Sequence, residues 1–209
     1  MVFSPEKWSN SAVQADFSVE LGKDDEALEL PWAAPSGEPR YYDLRRQPEL
    51  LLNVQEAFDN EELGQFLAAI NSAHSMLETC KCDTWTSKDL SEEEQGFGGE
   101  WKFGSYVDLI FAADEPRYLL GAHEELARSL CKLLRCVPEI SSAVELVIRH
   151  CHFHVADGED SRLGFYLTFY LSGYGSDANE ARARWNIGLK LVENALLQLS
   201  VQKSAVRSQ

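Results

Sequence analysis

The sequence predicts an α+β fold. The expected form is a two-layer sandwich: an antiparallel sheet from two ββα units with helices on one face, preceded by an N-terminal helix and an extended acidic segment. Three observations lead there. Apolar and polar residues alternate over 103–111 and again over 165–171, the period of a strand with one buried face. Each alternating run is followed by an acidic helix start and a long apolar stripe at helical spacing. The first forty residues carry neither period and hold Pro5, Pro31, Pro35 and Pro39 with the run Asp24-Asp25-Glu26, so they read as extended chain. The expected division is an extended acidic segment over 1–40, a single α+β domain over 41–200 and a frayed C-terminus over 201–209.

In chain order, the tract LPWAAPSGEP is expected to lie partly over the domain through Leu30 and Trp32. Pro48 suits a first helical turn, with Leu50, Leu51, Val54 and Phe58 following at helical spacing. Asp59 and Glu62 stand at capping-box spacing before the stripe Leu63, Phe66, Leu67 and Ile70. Met76–Thr86 is rich in β-formers, and Glu92, Glu93 and Glu94 next to three glycines read as an exposed loop. Asp114-Glu115-Pro116 should start a helix whose core face runs Leu119, Ala122, Leu126, Leu130, Leu133 and Val137, ending at Pro138. Val144–Val155 is the next strand, residues 156–160 a turn, and Phe165–Leu171 the last strand. Asp177 caps a final helix, with Glu180 at the capping-box position and Ala181, Trp185, Leu189, Val192, Leu196 and Leu199 on its buried side.

Gly104-Ser105-Tyr106-Val107 resembles Gly164-Phe165-Tyr166-Leu167 sixty positions on, which suggests an internal repeat. The element order and low pI over roughly residues 60–200 resemble those of small acidic secretion chaperones and their structural relatives. It is a likeness of element order and not of motif. It implies helices on one face of an antiparallel sheet and a protein that dimerises.

The 209 residues carry 34 acids and 19 bases, a net charge of −15. Such a surface repels phosphate backbones and anionic lipid, which argues against nucleic acid and membrane as partners. The acidity is uneven. Residues 1–100 hold 21 acids against 7 bases, and residues 101–209 hold 13 against 12, so the acidic half suits a basic partner. The last helix, with Arg182, Arg184 and Lys190, is locally basic. The first residues have neither the basic nor the apolar region of a secretory signal. Five cysteines, an odd number, then point to reduced thiols and a cytoplasmic setting.

Four constellations bear on chemistry. His150, His152 and His154 alternate on one strand face, a pattern that holds zinc or another divalent metal when a third ligand such as Asp157, Glu159 or Asp108 approaches. Their phase opposes that of Cys151, Phe153 and Val155, so a bulge near Arg149 is expected to turn the histidines to the open sheet face. Tyr166, Thr168 and Tyr170, with Tyr106 and Asp108 on the matching strand, form a polar-aromatic stripe. With His152 and His154 they are the candidate ligand-binding residues, or else a second buried layer beneath Leu30 and Trp32. Cys80-Lys81-Cys82 lacks a second pair at zinc spacing. Gly173-Tyr174-Gly175 precedes a helix N-terminus, but Asp177 and Glu180 occupy that dipole, so a structural turn is expected. Phosphate-loop, dinucleotide, nucleophile-elbow and zinc-protease signatures are absent from the sequence.

The expected function is therefore a cytoplasmic, non-enzymatic protein-binding, chaperone-like or regulatory module. It would act as a homodimer and need no cofactor. The alternative is a metal-dependent enzyme or small-ligand binder centred on His150, His152 and His154.

Overall fold

A computed structural model describes residues 14–33, 36–37, 40–135, 142–154 and 160–207. The chain is mixed α and β, with one six-stranded sheet. Its strands are β1 (Gln14–Val19), β2 (Ala27–Leu30), β3 (Leu77–Ser87), β4 (Trp101–Phe111), β5 (Ser142–His154) and β6 (Ser161–Gly175). The helices are α1 (Gln55–Asp59), α2 (Glu61–Ile70), α3 (Glu92–Gln95), α4 (Asp114–Arg117), α5 (Leu120–Leu134) and α6 (Ala178–Arg207), with a 3-10 turn at Pro48–Asn53.

The sheet order is β1-β5-β6-β4-β3, and β2 also pairs with β5. Each neighbouring pair among the four long strands is antiparallel. The sheet as a whole is not. β1 and β2 both run parallel to β5, against Ala143–Ile148 and His150–Phe153 respectively. They lie end to end along one edge, because residues 20–26 step the chain forward without reversing it. The acidic segment before residue 41 thus supplies part of the sheet.

Helices α2, α5 and α6 pack on one sheet face. Leu63, Phe66 and Ile70 of α2, Leu126 and Leu130 of α5, and Trp185, Leu189 and Val192 of α6 join Val107, Leu109, Leu146, Ile148, Leu167 and Phe169 in one core. Trp185 is fully buried; its Nε1 donates to Ser105 Oγ at 2.8 Å, and its ring stands 4.8 Å from that of Phe103. Trp185→Phe leaves the Ser105 hydroxyl without its donor and opens a small void, at a cost of about 2 kcal/mol. Thermal melts followed by circular dichroism should then show a Tm lower by roughly 4–8 °C.

Several local expectations change. Asn60, in an extended conformation, separates α1 from α2, and Asp59 does not cap: its carboxylate accepts from Gln55 Nε2. Glu92–Gln95 is a helical turn closed by a Ser91/Glu94 capping box. The helix expected from Asp114 breaks at Tyr118 and Leu119, where Leu119 is extended and half-exposed. The break lets Arg117 and Tyr118 reach Glu78 and Phe153 on the far face while α5 packs on the helical face. Asp177 Oδ1 does accept from the Glu180 amide at 2.9 Å, but the Glu180 carboxylate turns back to the amide of Ser176. α6 extends to Arg207. Pro5, Pro35, Pro39, Cys136, Val137, Pro138 and residues 155–159, including Asp157 and Glu159, lie outside the described residues.

Candidate functional site: the second face of the sheet

The second face divides into two halves. In one, Leu28, Leu30, Cys80, Ile110, Cys151, Phe153 and Tyr166 form a separate small core, with Trp32, Tyr41 and Tyr118 packed against it. The chain after β2 makes this cover. Trp32 follows the strand on the β5 edge, yet its Nε1 donates to the Cys80 carbonyl on β3 at 2.9 Å, so the segment crosses the sheet.

The other half is open. Register puts side chains in rows across four strands. One row is Lys81, Asp108, Thr168 and Val147; the next is Asp83, Tyr106, Tyr170 and Glu145; the third is Trp85, Gly104, Ser172 and Ala143. Trp85, Tyr106, Tyr170 and Ser172 are half-buried, and Asp83 and Glu145 are exposed. A register shift between Thr79 and Lys81 brings both Cys80 and Lys81 to this face.

Asp108 sits where the halves meet, 5% exposed. Thr168 Oγ1 donates to its carboxylate at 2.6 Å. Burial pushes Asp108 up to about 7, against the pull of the Thr168 hydrogen bond, Lys81 and Arg149; desolvation outweighs those partners. Arg149 donates to Glu20 at 2.8 Å and to the Tyr170 hydroxyl at 3.2 Å. The Lys81 ammonium stands 5.5 Å from the Trp32 ring and 5.7 Å from that of Tyr106, within cation–π range. Burial raises the phenols of Tyr106 and Tyr166 above their ordinary value, with Asp108 adding to the effect.

Asp108, Tyr166 and Tyr170 therefore share this face. His152 and His154 do not join them. β5 keeps one continuous register with β6 from Ser142 to His154, so the bulge expected near Arg149 is absent and the histidines stay in phase with Leu146 and Ile148. Both phases of β5 can be buried because both faces of the sheet are covered there. The His150 ring lies 5.6 Å from Phe165, and His154 pairs with Glu29 of β2. Among the described residues no group of three or more His, Cys, Asp or Glu side chains is placed to hold a metal ion.

The thiols of Cys80 and Cys82 belong to opposite layers, one in the small core and one against the main core. Burial pushes Cys82 and Cys151 up to about 12 and Cys131 up to about 11. None of these is a ready thiolate at neutral pH. Gly173 and Gly175 serve packing: a methyl group on Gly175 would stand 2.5 Å from the Ala181 amide nitrogen of α6.

Sequence reasoning missed Arg149, Lys81, Trp85 and Glu20 as members of the face. The alternation of β3 could have supplied Trp85; the register shift hides Lys81. No protein-family model, no curated protein and no solved structure matches this chain.

Proposed function

We propose that this protein is a cytoplasmic protein-binding module, chaperone-like or regulatory, that works as a homodimer formed across the open half of the second sheet face. The observation that carries the reading is that open half: three half-buried aromatic side chains, Trp85, Tyr106 and Tyr170, among groups of both charge signs, Asp83, Glu145, Arg149 beside Glu20, and Lys102, which is in phase with Tyr106 and paired with Glu94. Aromatic residues and arginine are enriched where proteins touch. A surface holding both signs suits an isologous contact, because a twofold axis can set each charge against its opposite.

Binding is favoured over catalysis by the state of the reactive groups. Asp108, whose carboxyl burial raises to about 7, is enclosed by Thr168 and its neighbours, and the described thiols are held protonated. The net charge of −15 argues against a nucleic-acid partner. Among the described residues no helix is long and apolar enough to cross a membrane.

We also read the domain as two ββα units in a two-layer arrangement. The offset of sixty maps Tyr106 onto Tyr166 and Asp108 onto Thr168. The β4–β6 register pairs Asp108 with Thr168, which is where a local twofold axis relating the units would pass.

Light scattering on size-exclusion peaks tests the dimer. The expected mass is twice the 23.5 kDa of one chain at micromolar concentration, falling to one chain in Tyr106→Glu/Tyr170→Glu. A wild-type monomer at every concentration would overturn the reading.

A further inference from the structure

The most exposed large apolar side chains among the described residues are Leu52, 86% exposed, and Phe58, 80% exposed. Both project from one short stretch, the 3-10 turn Pro48–Asn53 and helix α1. The same stretch, Pro48 to Leu63, contains Glu49, Glu56, Asp59, Glu61 and Glu62 and no Lys or Arg. The arginines that precede it in the chain face other acids: Arg45 lies 3.6 Å from Glu78, and Arg46 lies 3.5 Å from Asp43. Only Glu62 meets a cation among the described residues, Arg182 at 3.4 Å. Asp59 and Glu61 accept from the neutral amides of Gln55 and Gln65, which leaves their charge uncompensated.

Beside this surface lies a cavity of about 300 Å³. Asn53–Glu56 form one wall, and Trp32, Tyr42, Leu44 and Leu67 supply apolar lining, with Thr79–Cys82 of β3 opposite. A pocket of that size takes one or two apolar side chains; Arg40, Lys81 and Glu56 also line it, so the cavity suits an apolar anchor and the acids outside it suit the basic flanks.

We infer that the α1 surface, with this cavity, docks a basic amphipathic segment of a partner protein: an apolar anchor enters the cavity, and flanking Lys or Arg side chains meet Glu49, Glu56, Asp59 and Glu61. Charge decides the occupant. A second copy of this chain would set Glu49, Glu56, Asp59 and Glu61 against the same four acids, and like-charge juxtaposition disfavours that contact. A basic segment neutralises them while Leu52 and Phe58 lose water to its apolar side. The inference rests on the reading of the chain as a protein-binding module and fails separately from the dimer, which uses another surface.

Fluorescence anisotropy with the full chain tests it, using a fluorescein-labelled peptide of Leu and Lys in an amphipathic helical pattern. Two controls replace every Lys by Glu, or every Leu by Ser. The expected result is binding of the Leu/Lys peptide alone, weakened about tenfold in Leu52→Ser/Phe58→Ser, the loss of about 1.4 kcal/mol. Glu56→Gln/Asp59→Asn/Glu61→Gln should weaken it similarly and flatten its salt dependence. Glu124→Gln/Glu125→Gln on α5 should leave affinity within about twofold. The substituted apolar residues are solvent-exposed, so melts should match wild type. Undiminished binding by Leu52→Ser/Phe58→Ser would overturn the inference, as would equal loss in the α5 variant or equal binding of the Ser/Lys peptide. Conversion of a wild-type dimer to monomer by Leu52→Ser/Phe58→Ser would assign the surface to a second copy and overturn it too.

Discussion

Gly173→Ala is expected to lower the Tm by roughly 10 °C or more, or to abolish folding. A methyl group there would stand 2.8 Å from the Trp185 Cα, and closer still to the Trp185 amide nitrogen and the Ala181 carbonyl. All three are backbone atoms of α6, so no side chain can swing aside. The helix must lift from β6, and Trp185 is the largest fully buried side chain of the core. Overpacking costs typically 1–3 kcal/mol where side chains can yield; a rigid backbone clash beneath a buried Trp should cost at least about 3 kcal/mol. Gly188→Ala is the control. Its methyl meets the flexible end of Leu171, and alanine improves helix propensity by about 1 kcal/mol, so melts should stay near wild type.

Asp108→Asn should remove a pH dependence of stability worth at most about 4 kcal/mol. Burial raises the carboxyl from an ordinary 3.8 to about 7. The folded protein then holds this proton more tightly than the unfolded chain. The stability this provides is complete below about pH 4 and is lost as pH rises towards 7. Asparagine is neutral throughout and keeps an oxygen for the Thr168 hydroxyl. Urea unfolding of both proteins between pH 4.5 and pH 8 is the measurement. The variant should gain on wild type as pH rises, with no further change above about pH 8. Parallel stability curves would show that Asp108 ionises normally in the fold.

The parts of this fold that could be read in the sequence are those whose buried face is dictated by neighbours close in the chain. The alternation in β4 and β6 and the stripe of α6 each report one local surface facing one core, and the structure keeps all three. β1 and β2 were hidden because QADFSV and ALEL are short, and their parallel partner on β5 lies more than a hundred residues away. The sequence shows extended chain there but not where it docks. The same omission governs the histidines. With one sheet face assumed open, Ile148 and Cys151 in opposite phases demanded a bulge. Once Trp32, Tyr41 and Tyr118 pack over the second face, both phases are buried there and β5 stays regular. At the candidate site, the stripe Tyr106, Asp108, Tyr166, Thr168 and Tyr170 follows from strand period alone. Arg149 and Lys81 do not, since one depends on a pairing to Glu20 129 residues away and the other on a register shift in β3.

Hydroxyl-radical footprinting across a dilution series reads the open half of the sheet face side chain by side chain, with tryptic peptides quantified by mass spectrometry. If that half is the dimer contact, oxidation of Trp85, Tyr106 and Tyr170 falls as concentration rises, while Phe58 on α1 reacts equally throughout. Constant reactivity of the three aromatic residues alongside a concentration-dependent mass, or protection of Phe58 in their place, would contradict the assignment of this face.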